Sequence, residues 1–172
     1  MNGETIFWLI VTLSAVSALG FMLGESDGEP PFNSADERHA IANDCIGSHT
    51  GLNRHDHADL RISVLGSFVE IPGDVGINDG DCSMRPLHTH STDGRIHAEF
   101  RDNTTDLPLE AFFDTWGKHM DESGFDDYRV DDTHEFVMFL TESGGQRTQV
   151  FDFGDHVIED GQLIELIYRE IA

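Results

Sequence analysis

Ten histidines fall within 172 residues, and six of them cluster along the chain, five at the spacing of metal ligands and His49 nearby. His88 and His90 stand two apart, as do His55 and His57, and residues two apart on a strand share one face. His97 and Glu99 repeat the pattern, with Ile96, Ala98 and Phe100 on the opposite face. If Asp93-Gly94 is a two-residue turn, His90 faces His97 and His88 faces Glu99 across a hairpin. If the loop is the four residues Ser91 to Gly94, His88 faces His97 instead. Cross-strand neighbours bring Cβ atoms to ~4.5–5.5 Å. Either register therefore gathers imidazoles and a carboxylate into a patch small enough for one ion with nitrogen ligands at ~2.0–2.1 Å.

The second cluster, Arg54-His55-Asp56-His57-Ala58-Asp59-Leu60, puts His55, His57 and Asp59 on one face, continuous with Arg61 and Ser63. Leu60, Ile62 and Val64 lie on the other. If the two histidine faces meet, the site holds five imidazoles, with Asp59 and Glu99 either as ligands or as carboxylates that hold an imidazole N–H and fix its tautomer. His49 lies nearby in the chain. Imidazole donors favour copper, zinc, nickel or iron over calcium and magnesium, and copper or zinc is the expected ion. Protonation sensing is an alternative use of the same residues. His39, His119, His134 and His156 have no such spacing and read as surface or internally satisfied residues.

Cys45 and Cys82 are the only cysteines, one upstream of each paired-histidine strand. The expected state is a disulfide that ties the two strands together, worth ~3–4 kcal/mol in the chain-entropy account. A copper site built on Cys82, His88 or His90, and Met84 would have its ligands in the order Cys-Met-His, unlike the Cys-His-Met loop of cupredoxins.

The elements that must position these groups are mostly strands. Leu60, Ile62 and Val64 alternate with polar residues, Gly66-Ser67 turns into Phe68 to Ile71, and Leu87 to His90 precedes Arg95 to Phe100. Leu109, Phe112, Phe113 and Trp116 recur at helical spacing after Asp106 and Pro108, with Gly117 or Gly124 available as a stop. Strands return at Glu135 to Thr141, Thr148 to Phe153 and Leu163 to Arg169. This order predicts an α+β domain with a mostly antiparallel sheet and one main amphipathic helix.

Lys and Arg number 10 against 33 Asp and Glu, a net charge of -23. Such a surface excludes a nucleic-acid groove. The acid is dispersed and Lys118 is the only lysine, a pattern of halophile-type surfaces. Residues 5–24 carry no charge and are long enough to span ~30 Å of hydrocarbon as a helix. The expected organisation is a transmembrane anchor over residues 1–24, a polar linker over 25–44, and a folded domain over 45–172 carried outside the cytoplasm by a single pass through the membrane. Val16-Ser17-Ala18 offers signal-peptide cleavage as the alternative.

The stretch from Cys45 to Gly117 resembles an uncharacterised family of exported or membrane-anchored archaeal and bacterial proteins. Its pattern runs Cys, HxHxHLxI, IPxxIGI, a second Cys, LHTHxxxGxIHxE and FFxxWG. Here these read Cys45, HDHADLRI, IPGDVGI, Cys82, LHTHSTDGRIHAE and FFDTWG. The third histidine of the first motif is Asp59 in this chain, which would make a site that uses it richer in oxygen. The resemblance implies export and metal binding and supplies no activity.

Three functions are compatible with these residues. The first is a non-catalytic domain that captures or senses copper or zinc. The second is a metalloenzyme with three histidine ligands and Glu99 or Asp59 as general base on a bound water. The third is an interaction domain whose histidines are merely polar. No Ser-His-Asp order, phosphate-cradling glycine loop or cofactor fingerprint is present.

Overall fold

The computed structural model describes residues 38–171. The strand β1 (Arg54–Val64) buries Ala58, Leu60, Ile62 and Val64 at alternate positions, as period-two alternation requires. It is the spine of a seven-stranded sheet. On one side it pairs in parallel with β12 (Gln162–Glu170), from Ala58↔Gln162 to Val64↔Tyr168. On the other side its first half pairs antiparallel with β6 (Arg95–Phe100) and its last residues with β2 (Ser67–Val69). Beyond β6 lies the two-residue β5 (Leu87–His88), and beyond β12 lie β10 (His134–Thr141) and β11 (Arg147–Val150), all antiparallel to their neighbours.

Two small sheets flank this one: a hairpin of β3 (Ile77–Asp79) and β4 (Cys82–Met84), and a three-stranded unit of β7 (Met120–Asp121), β8 (Gly124–Phe125) and β9 (Tyr128–Arg129). Among the described residues the helices are α1 (Ala40–Asn43) and α2 (Leu109–Trp116), with one 3-10 turn at Phe153–Asp155. The apolar stripe of α2 is as its spacing predicts: Leu109, Phe112 and Phe113 join Leu60, Ile62, Ile96, Ala98, Ile164 and Leu166 from the sheet in one core. Gly117 ends the helix in the left-handed conformation, φ 74°, where a residue without Cβ is strongly favoured. The helix enters through Pro108 with no side-chain cap, so Asp106 does not serve as one. Ala42 of α1 is buried in the same core, so packing begins ahead of Cys45.

Two expectations need correction. The fold is mostly β rather than α+β, because α2, at eight residues, is the longest helix among the described residues, and the small hairpins add strands over segments to which the sequence pattern assigns no element. The single-pass membrane topology also does not stand. No helix among the described residues is long and apolar enough to cross a membrane, α2 extending only ~12 Å against ~30 Å of hydrocarbon, and the segment 5–24 lies outside those residues.

Candidate metal centre

The register of three neighbouring strands builds the site. β1 and β6 are aligned so that His57 pairs with His97 and His55 with Glu99, while β5 aligns His88 with His97. His88, His97 and His57 therefore form one row across the sheet, with ring centroids 5.2 Å apart for His88 and His97 and 4.6 Å for His57 and His97. His55 and Glu99 form the next row. The hairpin register is the one expected for the four-residue loop, although β5 ends at His88 and the chain leaves the sheet there.

His90, just past β5, folds back over this row. Its ring lies edge-on to His97 at 4.6 Å and to His88 at 4.8 Å. His49 arrives from the loop ahead of β1, close to Cys45. Its ring is 5.7 Å from His90, 5.9 Å from His88 and 6.0 Å from His55. The loop is tied down by the Cys45–Cys82 disulfide, whose Cα atoms are 5.7 Å apart, and by the amide of Ile46 donating to the Met84 carbonyl. The expected cystine thus brings a sixth histidine to a site otherwise carried by strands.

Burial grades from floor to rim. His88 and Glu99 are fully buried, His97 is largely so, and His49, His55 and His57 keep about a third to a half of their side-chain surface. An ion would thus enter through exposed imidazoles and meet buried ones.

Among the described residues, Glu99 is the only carboxylate on the floor. Its Oε2 is 2.8 Å from Nδ1 of His49, its Oε1 is 3.0 Å from Nε2 of His55, and the same Oε1 is 3.7 Å from Nδ1 of His97. A fully buried carboxylate is costly unless cations or donors surround it, and here imidazoles do so.

His88 is oriented by backbone. Its Nδ1 is 3.0 Å from the carbonyl oxygen of Arg85, which can only accept, so Nδ1 carries the proton. That leaves the lone pair on Nε2, which is buried and has no hydrogen-bond partner. Nδ1 of His97 is likewise buried without one. Burial, opposed by the Glu99 charge, lowers the His88 pKa to about 4. Burial followed by the neighbouring His57 and His90 lowers that of His97 to about 4. Both rings are neutral at physiological pH, the form in which imidazole binds a metal.

Among the described residues, three groups of side chains could hold an ion: His49, His88 and His90; His55, His57 and His97; and His88, His97 and Glu99. In each group the ligand atoms lie within 4.8 Å of one another. The structure thus brings together His55, His57, His88, His90, His97 and Glu99, and adds His49.

Asp59 is not among them. It shares the histidine face of β1, but its carboxylate is 3.0 Å from Nε of Arg95, its partner on β6. Asp160 is an addition that spacing along the chain did not flag. It follows the 3-10 turn and accepts the backbone amide of His57 at 2.9 Å, a contact made possible by the parallel pairing of β12 with β1.

The four remaining histidines have other partners. His39 caps α1 by accepting from Ile41, His119 meets Ser123, His134 meets Asp131, and His156 spans Asp152 and Gln162. The disulfide occupies both cysteines, so a thiolate ligand of the cupredoxin kind is excluded. Set beside protein-family models, curated proteins and solved structures, the chain matches none of them.

Proposed function

We propose that this domain binds a transition-metal ion, copper or zinc, through the histidine cluster on β1, β5 and β6, and acts as a capture or sensing module. The observation that carries this reading is His88: an imidazole with no solvent exposure, its Nδ1 proton held by the Arg85 carbonyl and its Nε2 lone pair unpartnered. A buried acceptor without a donor costs ~1–3 kcal/mol, and a backbone-oriented imidazole is the usual form of a metal ligand. Six nitrogen donors against one carboxylate favour copper or zinc over calcium or magnesium.

A binding role is favoured over hydrolysis because neither carboxylate considered as a general base is free. Glu99 is buried against His49 and His55, and Asp59 is paired with Arg95. The disulfide is a bond that is rare in reducing compartments and persists in oxidising ones, where copper and zinc also meet few competing thiols.

Calorimetric titration of the chelator-stripped full chain with Zn(II) and with Cu(II) tests the reading. Saturable binding that weakens at least ~100-fold in His88→Ala supports it. No binding of either ion would defeat it.

A further inference from the structure

Two of the three candidate groups share no residue. His49, His88 and His90 form one triad, and His55, His57 and His97 form the other. The third group takes His88 from the first triad, His97 from the second, and Glu99. That composition is what a seam between two sites would have. Glu99 also touches one imidazole of each triad, His49 at 2.8 Å through Oε2 and His55 at 3.0 Å through Oε1. Resting on the metal-binding reading, we infer that the cluster is a two-ion centre, with one ion on each triad and Glu99 as the carboxylate shared between them.

Ligand arithmetic supports two ions. A copper or zinc ion in a histidine site takes three or four protein ligands at ~2.0–2.1 Å. One ion would leave at least two of the six imidazoles without a role, although all six contact one another in a continuous chain of rings. Two ions use three each.

The triads are also close. His88 and His97 stack at 5.2 Å with their planes 13° apart, and His90 lies 4.6 Å from His97. Ions held on them would be near neighbours, as in two-metal sites, where the separation is ~3.5–4 Å. The mutual repulsion of two divalent ions is offset locally by Glu99 and at longer range by a chain of net charge -23. An exposed rim on both triads, at His49 for one and at His55 and His57 for the other, gives each ion its own approach from solvent.

The test is stoichiometry and spin coupling on the full chain loaded with Cu(II), desalted and measured by elemental analysis and electron paramagnetic resonance. The expected result is two equivalents in the wild type and one in each of His90→Ala and His57→Ala. The doubly loaded protein should show a half-field or broadened signal from paired spins, absent from both variants. Glu99→Gln, close to isosteric, should weaken binding of both ions by about tenfold or more. Circular dichroism checks that the variants fold, and the wild-type stoichiometry stands without them. One equivalent in the wild type, or two equivalents with isolated-spin spectra, overturns the two-ion centre while leaving the metal-binding reading intact. No retained copper, with no zinc bound in a parallel loading, defeats both.

Discussion

Nδ1 of His88 lies 3.0 Å from the carbonyl oxygen of Arg85, and this contact fixes which nitrogen of the buried ring is available. Donor and acceptor are three positions apart in the chain, so the orientation of the ligand is written into the turn that leads into β5. Arg85 is itself held by Asp79 and by the Asn43 carbonyl, which links the turn to the neighbouring hairpin and to the end of α1.

Removing this ligand should cost metal binding more than stability. His88→Ala is expected to lower copper and zinc affinity at least ~100-fold while leaving a cooperative unfolding transition, because it also removes a buried lone pair that has no donor. Affinity and denaturation midpoint measured on the same preparation check this. Unchanged affinity would remove His88 from the ligand set.

The metal-free protein should lose stability as the pH falls from about 6.5 toward 4. His88 and His97 titrate near 4 in the native state against a reference of 6.5. Between those values the unfolded chain takes up protons that the native rings refuse. The stabilisation is fully present above the unfolded pKa and is gone once the native rings protonate. For His88 the difference amounts to ~3 kcal/mol, and His97 acts in the same direction. Denaturant midpoints from pH 4 to 8 with a chelator, at about 1 M salt to screen the net charge, measure it. A midpoint that does not fall on acidification would contradict the assignment.

Breaking the Cys45–Cys82 bond should destabilise the fold and weaken the site together. The bond closes a separation of 37 residues, worth about 4 kcal/mol in the chain-entropy account, and it anchors the loop that carries His49. Comparing the oxidised protein with the Cys45→Ser, Cys82→Ser double variant tests both effects. Equal midpoints and equal zinc affinity would rule out the role given to the disulfide.

Gly94→Ala should cost ~2–3 kcal/mol. Gly94 has φ +81°, and a Cβ there would sit 2.5 Å from the Leu60 carbonyl oxygen. The Gly94 carbonyl meanwhile accepts the Leu60 amide at 2.8 Å, so the substitution presses on the β1–β6 pairing that aligns His57 with His97. Chemical denaturation reads the loss, and wild-type stability in the variant would show that the turn relaxes freely.

Asp59→Asn should leave metal stoichiometry and affinity within about twofold of wild type, since the Asp59 carboxylate belongs to an exposed pair with Arg95 and such pairs contribute little. A loss of an equivalent would restore Asp59 to the site.

What was legible in the chain was what is local. The alternation of His97 and Glu99 with Ile96 and Ala98 needs only the period of a strand, and the Leu109, Phe112, Phe113 stripe only that of a helix. The pairing of Cys45 with Cys82 followed from there being no other partner. The rest depends on which strands become neighbours. His57 meets His97 because β1 lies beside β6, Asp160 reaches His57 because β12 runs parallel to β1, and Asp59 is drawn off by Arg95 across the same ladder. His49 enters the cluster by way of a cross-link rather than a repeat. The β3–β4 and β7–β9 units leave no periodic signal, because strands of two or three residues are too short to display a period.

X-ray absorption on the zinc-loaded full chain tests the central claim most directly, since it reads the ligands themselves. Binding by the cluster predicts a first shell dominated by nitrogen at ~2.0–2.1 Å, with outer-shell imidazole scattering that diminishes in His88→Ala. A zinc edge indistinguishable from the hydrated ion, or an oxygen shell without imidazole scattering, would contradict it.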